Sequence, residues 1–303
     1  MSVPHFLTLL DLPSTDVLEI VSRAIELKTN PLVANNQSRK TLGLIFEKSS
    51  TRTRVAFEVA MTQMNGASLF LTSGNSQLGR GEPIEDTARV LSRMVDCVAM
   101  RTFAHNDLER FAAYSRVPVI NALSNDFHPC QLLADMQTFI EHRGSISGKR
   151  VAWVGDGNNM CQSYINAASV FDFELNIASP ADFSPDSDLL AANSDRVSLT
   201  TSPRQAVADA DLVVTDVWAS MGQESEKAKR LIAFADFEVS GELMSLAKAD
   251  ALFMHCLPAH RGEEVTAELL DRDASVVWDE AENRMHSQKA LLEYLLNYGP
   301  VKP

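Results

Sequence analysis

The sequence has no apolar run of the ~18 residues that a membrane-crossing helix needs, so no spanning segment is expected. Met1 to Leu10 lacks the basic flank and long apolar centre of a secretion signal, and a cytoplasmic location is expected. Cysteine is scarce. Cys97, Cys130, Cys161 and Cys256 are scattered and form no C-x-x-C pair. Neither a disulfide framework nor a zinc cage is expected, and reduced thiols are the simplest reading. Basic residues are outnumbered, 27 Lys and Arg against 40 Asp and Glu, for a net charge of −13. Nucleic acid is thereby disfavoured as a partner, because phosphate backbones need a basic face. One small anion is not excluded, since local charge decides that. Lys48, Arg52 and Arg54 fall close together, and Arg80 and Arg101 follow in the same half.

What is present is ordinary for a globular protein, with 45% hydrophobic residues in 303. Single cores stop growing at roughly 250–300 residues, so two domains are expected. The first forty residues read as helical, with Ser14-Thr15-Asp16 as a cap. Leu42 to Phe46 reads as a buried parallel strand. A polar loop, Glu47 to Thr51, leads into a helix from Arg52 to Asn65 that Gly66 would cap. Ala67 to Leu71 is strand-like. The alternation repeats through a helix over 83–94, a strand over 97–100, a strand over 118–121 and a long helix from His128-Pro129 to about His142. Gly144 and Gly148 punctuate a hinge. The second half restarts with a strand over 150–154, the loop Gly155 to Asn159 and a helix. Strands are predicted over 211–215, 251–255 and 275–278, and a last helix over 280–296. The fold class is α/β: two open parallel sheets with helices on both faces.

In such sheets ligands bind beyond the C-terminal strand ends, so those residues carry the functional argument. Ser50, Thr51 and Thr53 offer hydroxyls at a helix N-terminus, whose free N–H groups favour an anion. Arg52 adds a planar fork suited to phosphate. The plainer alternative is a capped helix with a solvated basic turn. Arg101 ends a strand and faces the ligand crevice, though by itself it could serve an ion pair. His128 follows another strand end, and a lone histidine there is more often a packed residue. Its weight comes from three strand ends converging. In the second half, Gly155-Asp156-Gly157-Asn158-Asn159 looks superficially like a dinucleotide loop. Met160 stands where the third glycine of G-x-G-x-x-G would be needed. Its asparagines can instead serve a polar zwitterion. Asp216 ends a strand and could attract a cationic amine or cap a helix. Cys256, between His255 and His260 with Arg261 beyond, is either packed or poised for chemistry. Metal binding by His255, Cys256 and His260 fits no standard cage.

Taken together, these segments resemble the transcarbamoylase family, and its ornithine branch in particular. The family signature Ser-x-Arg-Thr stands as Ser50-Thr51-Arg52-Thr53. His-Pro-Cys-Gln stands as residues 128–131, Asp-x-Trp-x-Ser-Met-Gly as 216–222, and His-Cys-Leu-Pro-Ala-His-Arg-Gly as 255–262. The matches run from residue 47 to residue 284. The resemblance implies that Ser50, Thr51, Arg52 and Thr53 bind the phosphate of carbamoyl phosphate and that Arg101 bridges phosphate and carbonyl oxygen. His128 and Gln131 would hold the carbamoyl group. The backbone around Cys256 and Leu257 would accept its NH2 hydrogens, Arg284 would close over the phosphate, and Gln77 would reach a neighbouring subunit's site. Asn159, Asp216, Ser220 and Met221 would contact L-ornithine. Arg101, His128 and Cys256 would be the catalytic residues, with no metal and no cofactor.

The resemblance further implies a carbamoyl-phosphate domain over 1–145, with a final helix over about 283–300 packing back on it, and an ornithine domain over 146–282. Interdomain helices would join the two, and the assembly would be a homotrimer. Rival readings are a transcarbamoylase for another amine, a nicotinamide-dependent dehydrogenase built on the Gly155 loop, and a non-catalytic binding protein on the same fold. Neither aspartate nor putrescine suits the Ser220-Met221-Gly222 segment, and Arg80 is not placed as the aspartate branch places its lysine.

Overall fold

The computed structural model describes residues 3–31, 34–72, 81–219 and 226–297. The chain divides into two compact units, Met1–Gln137 with Glu282–Pro303, and Thr138–Ala281. The division falls inside a helix, before the Gly144 to Gly148 hinge expected from sequence. Both of those glycines adopt positive φ.

The first unit holds β1 (Thr41–Phe46), β2 (Ala67–Thr72), β3 (Cys97–Arg101) and β4 (Val119–Leu123), all parallel in the order β2-β1-β3-β4. The two central strands, β1 and β3, are buried almost throughout because helices cover both faces, which is why they read as continuous apolar runs. The edge strand β2 is half exposed. The helices are α1 (Ser14–Thr29), α2 (Thr51–Gln63), α3 (Ile84–Leu91), α4 (His105–Tyr114) and α5 (Pro129–Arg143), which crosses the division. Ile45, Val98, Met100, Leu108, Phe111 and Val119 form part of one core. Each such side chain contributes roughly 1.5–3 kcal/mol on burial.

The second unit holds β5 (Arg150–Val154), β6 (Glu174–Ala178), β7 (Val197–Thr200), β8 (Leu212–Thr215) and β9 (Leu252–His255). They are again all parallel, in the order β7-β6-β5-β8-β9. Its helices include α6 (Asn159–Phe171), α7 (Ser187–Ala192), α8 (Pro203–Val207), α9 (Lys227–Ala233) and α10 (Gly241–Met244). The last helix, α11 (Val277–Leu296), crosses back into the first unit. Two parallel α/β sheets are thus the observed architecture.

Several local expectations change. Residues 3–13 are not helical. Val3, Phe6, Leu9 and Leu12 are buried at a spacing of three, which imitates a helix. Phe6 instead bridges to Ile120 beside β4, and the Asp11 carboxylate accepts from Leu7 N and Thr8 N. The first residue before α1 is Pro13, with no side-chain cap, so Ser14-Thr15-Asp16 lies inside the helix. At the end of α2 the left-handed residue is Asn65, φ 61°, and not Gly66. Gly66 relieves crowding instead: a Cβ there would lie 3.2 Å from the Lys40 carbonyl and would push aside the end of the Met61 side chain. Ser275 to Trp278 forms no strand. Ser275 makes one bridge to Phe253, and α11 begins at Val277. Strands β6 and β7 escaped the sequence reading because both are short and polar-interrupted, and β7 lies exposed on the sheet edge.

Candidate active site

The order β2-β1-β3-β4 reverses direction between β1 and β3, and β7-β6-β5-β8-β9 reverses between β5 and β8. Each reversal opens a crevice at the strand C-termini, where open α/β sheets bind ligands. Among the described residues, Ser50 follows β1 and Arg101 ends β3, the strands that flank the first reversal, and Asn159 and Asp216 follow those that flank the second.

In the first unit, Ser50 is the N-cap of α2, and its hydroxyl accepts from Thr53 N at 3.4 Å. A cap of this kind contributes ~1 kcal/mol. Thr51 and Arg52 are exposed in the first turn, and Thr53 is buried. The helix therefore presents its free N–H groups at this end, with Arg52 in the same first turn. A cavity of about 600 Å³ beside this turn is lined by Phe46, Glu47, Lys48, Ser50, Thr51 and Thr72, among others. The Glu47 N–H donates to the Arg101 carbonyl at 2.8 Å, which joins the ends of β1 and β3. Arg101 is only 9% exposed.

Arg284, from α11, belongs to the same unit. Its Nη1 donates to Gln131 Oε1 and its Nη2 to Thr53 Oγ1 at 3.0 Å. Gln131 Nε2 donates in turn to Asp135 Oδ1 at 2.8 Å. His128 is buried at the start of α5. Burial, and then the charges of Arg284 and Arg101, hold its pKa well below the ordinary histidine value. It is neutral near pH 7 and can donate one hydrogen bond without adding charge. Thr53, Arg101, His128, Gln131 and Arg284 are thus brought together.

The basic cluster of the sequence separates into distinct roles. Lys48 is buried, donates to Asn125 Oδ1 at 2.6 Å and lies over the Phe103 ring. Burial and then Arg101 lower its pKa. Arg54 stacks on Phe70 at 3.7 Å and pairs with Glu58, and all three line the same cavity.

In the second unit, Asn158 is the N-cap of α6 and accepts from Met160 N and Cys161 N. Its Nδ2 donates to Asp216 Oδ2 at 2.9 Å, across the β5/β8 reversal. Of the two loop asparagines, Asn158 is the one that caps α6 and reaches Asp216, and Asn159 is the first residue of the helix. Asp216 Oδ1 accepts from Val217 N at 2.8 Å and from the Cys256 thiol at 3.1 Å. Cys256 is partly exposed, whereas Cys97, Cys130 and Cys161 are buried. Burial pushes the Cys130 thiol up to about 12. Leu257 sits at φ 53°, and its N–H donates to His255 Nδ1 at 2.9 Å. That contact makes Nδ1 an acceptor, so Nε2 carries the proton and donates to the buried Glu264 at 3.0 Å. With both ring nitrogens engaged, His255 orients the Cys256-Leu257 backbone.

The set His255, Cys256 and His260 is not assembled. His260 instead lies near Glu263 and Glu264. The Gly155 loop is explained by packing. A Cβ on Gly157 would stand 2.2 to 2.6 Å from the backbone of Phe183, Ser184 and Pro185, so only glycine fits. Asp156 is paired with Arg230 at 2.8 Å and is pushed up to about 6, chiefly by burial. Arg230 also holds the Trp218 carbonyl at 2.8 Å. Gln77, Arg80, Ser220 and Met221 lie outside the described residues.

Comparison with known proteins places this geometry. The description "Aspartate/ornithine carbamoyltransferase, carbamoyl-P binding domain" matches residues 4–141. The description "Aspartate/ornithine carbamoyltransferase, Asp/Orn binding domain" matches residues 147–295. An ornithine carbamoyltransferase of Nitrosococcus oceani is 64% identical, over 99% of this chain and 100% of that protein. An anabolic ornithine carbamoyltransferase of Pseudomonas savastanoi is 56% identical, over 98% of each. The crystal structure of an ornithine carbamoyltransferase from Burkholderia thailandensis aligns with a TM-score of 0.89 at 48% identity, covering 97% of this chain and 99% of that one. The chain belongs to the aspartate/ornithine carbamoyltransferase family.

Proposed function

We propose that the protein transfers the carbamoyl group of carbamoyl phosphate to the side-chain amine of L-ornithine, giving L-citrulline and phosphate. One observation carries most of this reading: the α2 N-terminus is tied through Thr53 to Arg284 and Gln131, beside Arg101 and neutral His128. That grouping suits a phosphate joined to a polarised carbonyl. Ser50, Thr51, Arg52 and Thr53 bind the phosphate, and Arg284 closes over it. Arg101, His128 and Thr53 donate to the carbonyl oxygen as charge develops on it. Gln131 and the backbone at Cys256 and Leu257 hold the carbamoyl NH2.

The amine nitrogen attacks the carbonyl carbon, the C–O bond to phosphate breaks, and the bonding pair leaves with phosphate. The nitrogen loses one proton. An alkyl amine is only about 0.1% neutral at pH 7.4, so the site must favour deprotonation. Asn159, Asp216, Ser220 and Met221 orient ornithine, and the Asp216–Cys256 pair assists proton removal. No step calls for a metal or cofactor. Anabolic relatives support a role in arginine biosynthesis. Among the described residues no helix is long and apolar enough to cross a membrane, and we place the reaction in the cytoplasm.

The test is direct: purified protein with carbamoyl phosphate and ornithine should form citrulline and phosphate in equal amounts. Phosphate release without citrulline would refute transfer. We further propose a homotrimer in which Gln77 completes a neighbour's site. Mixing inactive Arg52→Ala and Gln77→Ala chains should restore activity in hybrid trimers. No recovery despite proven subunit exchange would refute sharing.

A further inference from the structure

An amide side chain has one donor end and one acceptor end of nearly the same shape. The end that faces a ligand decides what the ligand must offer. For Gln131 the neighbours permit one answer. The Arg284 guanidinium can only donate, so the Gln131 atom it meets is Oε1. The nitrogen end therefore lies against Asp135, with Nε2 donating to Oδ1 at 2.8 Å. Asp135 is one turn further along α5 and is fully buried. A buried carboxylate is costly unless it is engaged, so this position needs a reason.

We infer that Asp135 is a positioning residue that sets substrate specificity: by holding the Gln131 nitrogen, it makes that amide present its oxygen to the site. This rests on the reading of Gln131 as a carbamoyl contact. The Gln131 oxygen has two lone pairs, so it can accept from Arg284 and from a ligand N–H together. When Arg284 turns to a bound phosphate, the bond to Asp135 keeps the amide from flipping. A carbamoyl group then satisfies the oxygen with its NH2. An acyl group of the same shape with a methyl in place of NH2 leaves a buried acceptor unfilled, which selects against it. The site thus chooses acyl phosphates whose acyl group carries N–H donors.

Two charge-matched probes separate the alternatives: phosphonoacetamide, which keeps the NH2, and 2-oxopropylphosphonate, which carries a methyl in its place. Inhibition constants against carbamoyl phosphate are measured for both on the full-length wild type, Asp135→Asn and Asp135→Ala. Each preference is a ratio on one preparation, so it does not depend on the fraction folded. Asn can turn a donor towards Gln131, and Ala removes the restraint, so either variant that folds serves.

The expected result is a wild-type preference for the amide that falls about tenfold in the variants, the scale of one net hydrogen bond. The KM for ornithine should stay within about twofold, since its proposed contacts lie in the other unit. A wild-type enzyme without the preference, or variants that retain it in full, would overturn the inference. If phosphonoacetamide fails to compete with carbamoyl phosphate in the wild type, the proposed function itself fails instead.

Discussion

Replacing Asp216 with Asn tests the division of labour between the two units. Asp216 is 7% exposed and accepts from Val217 N, Asn158 Nδ2 and the Cys256 thiol. Asn is nearly the same size and keeps one acceptor oxygen, so the loop after β8 can hold its shape. What is lost is the charge that favours an ammonium group. A hydrogen bond to a charged partner is worth ~1.5–3 kcal/mol, which converts to about a 10–150-fold rise in the KM for ornithine. The KM for carbamoyl phosphate should change less than about twofold, because the residues assigned to its phosphate all belong to the first unit. Citrulline is assayed while each substrate is varied against saturating partner, and thermal melting checks the fold. A rise of less than about threefold for ornithine, or equal rises for both substrates, would refute the assignment.

Two further outcomes are expected. Arg52→Ala should lower kcat/KM for carbamoyl phosphate by about 100-fold or more, since a bidentate phosphate contact is lost. Stability should move by less than about 0.5 kcal/mol because the side chain is exposed; a mild rate loss, or a large drop in melting temperature, would contradict this. The second concerns pH. His128 is held neutral by burial, with Arg284 and Arg101 adding to it. The unfolded chain protonates this ring below its ordinary value near 6.5, whereas the folded chain resists. The stability it confers is therefore fully present above pH ~6.5 and is lost as pH falls towards the lowered folded value. Denaturant unfolding should show wild type losing more stability than His128→Gln between about pH 7 and 5, and identical slopes would refute the buried neutral ring.

Much of this was legible in the sequence because central parallel strands announce themselves as apolar runs. Strands β1, β3, β5 and β8 fell where expected, and these four flank the two sheet reversals. What sequence could not give was pairing. Lys48, Arg52 and Arg54 look like one basic cluster, yet only the fold shows Lys48 buried against Phe103 and Arg54 set against Phe70 and Glu58. Asn158 and Asn159 are adjacent and alike, and only the position of the α6 cap shows which one reaches Asp216. Asp135 drew no attention because its meaning lies in a contact with Gln131, which spacing alone does not reveal. The short strand β7 and the N-terminal segment were hidden by exposure and by an apolar spacing of three that imitates a helix.

The measurement closest to the central claim is product formation from carbamoyl phosphate with ornithine, putrescine, aspartate and N-acetylornithine side by side. Turnover of ornithine alone, with citrulline as product, is the predicted result. Turnover of another amine while ornithine fails would leave the phosphate site standing but contradict the roles given to Asp216, Ser220 and Met221.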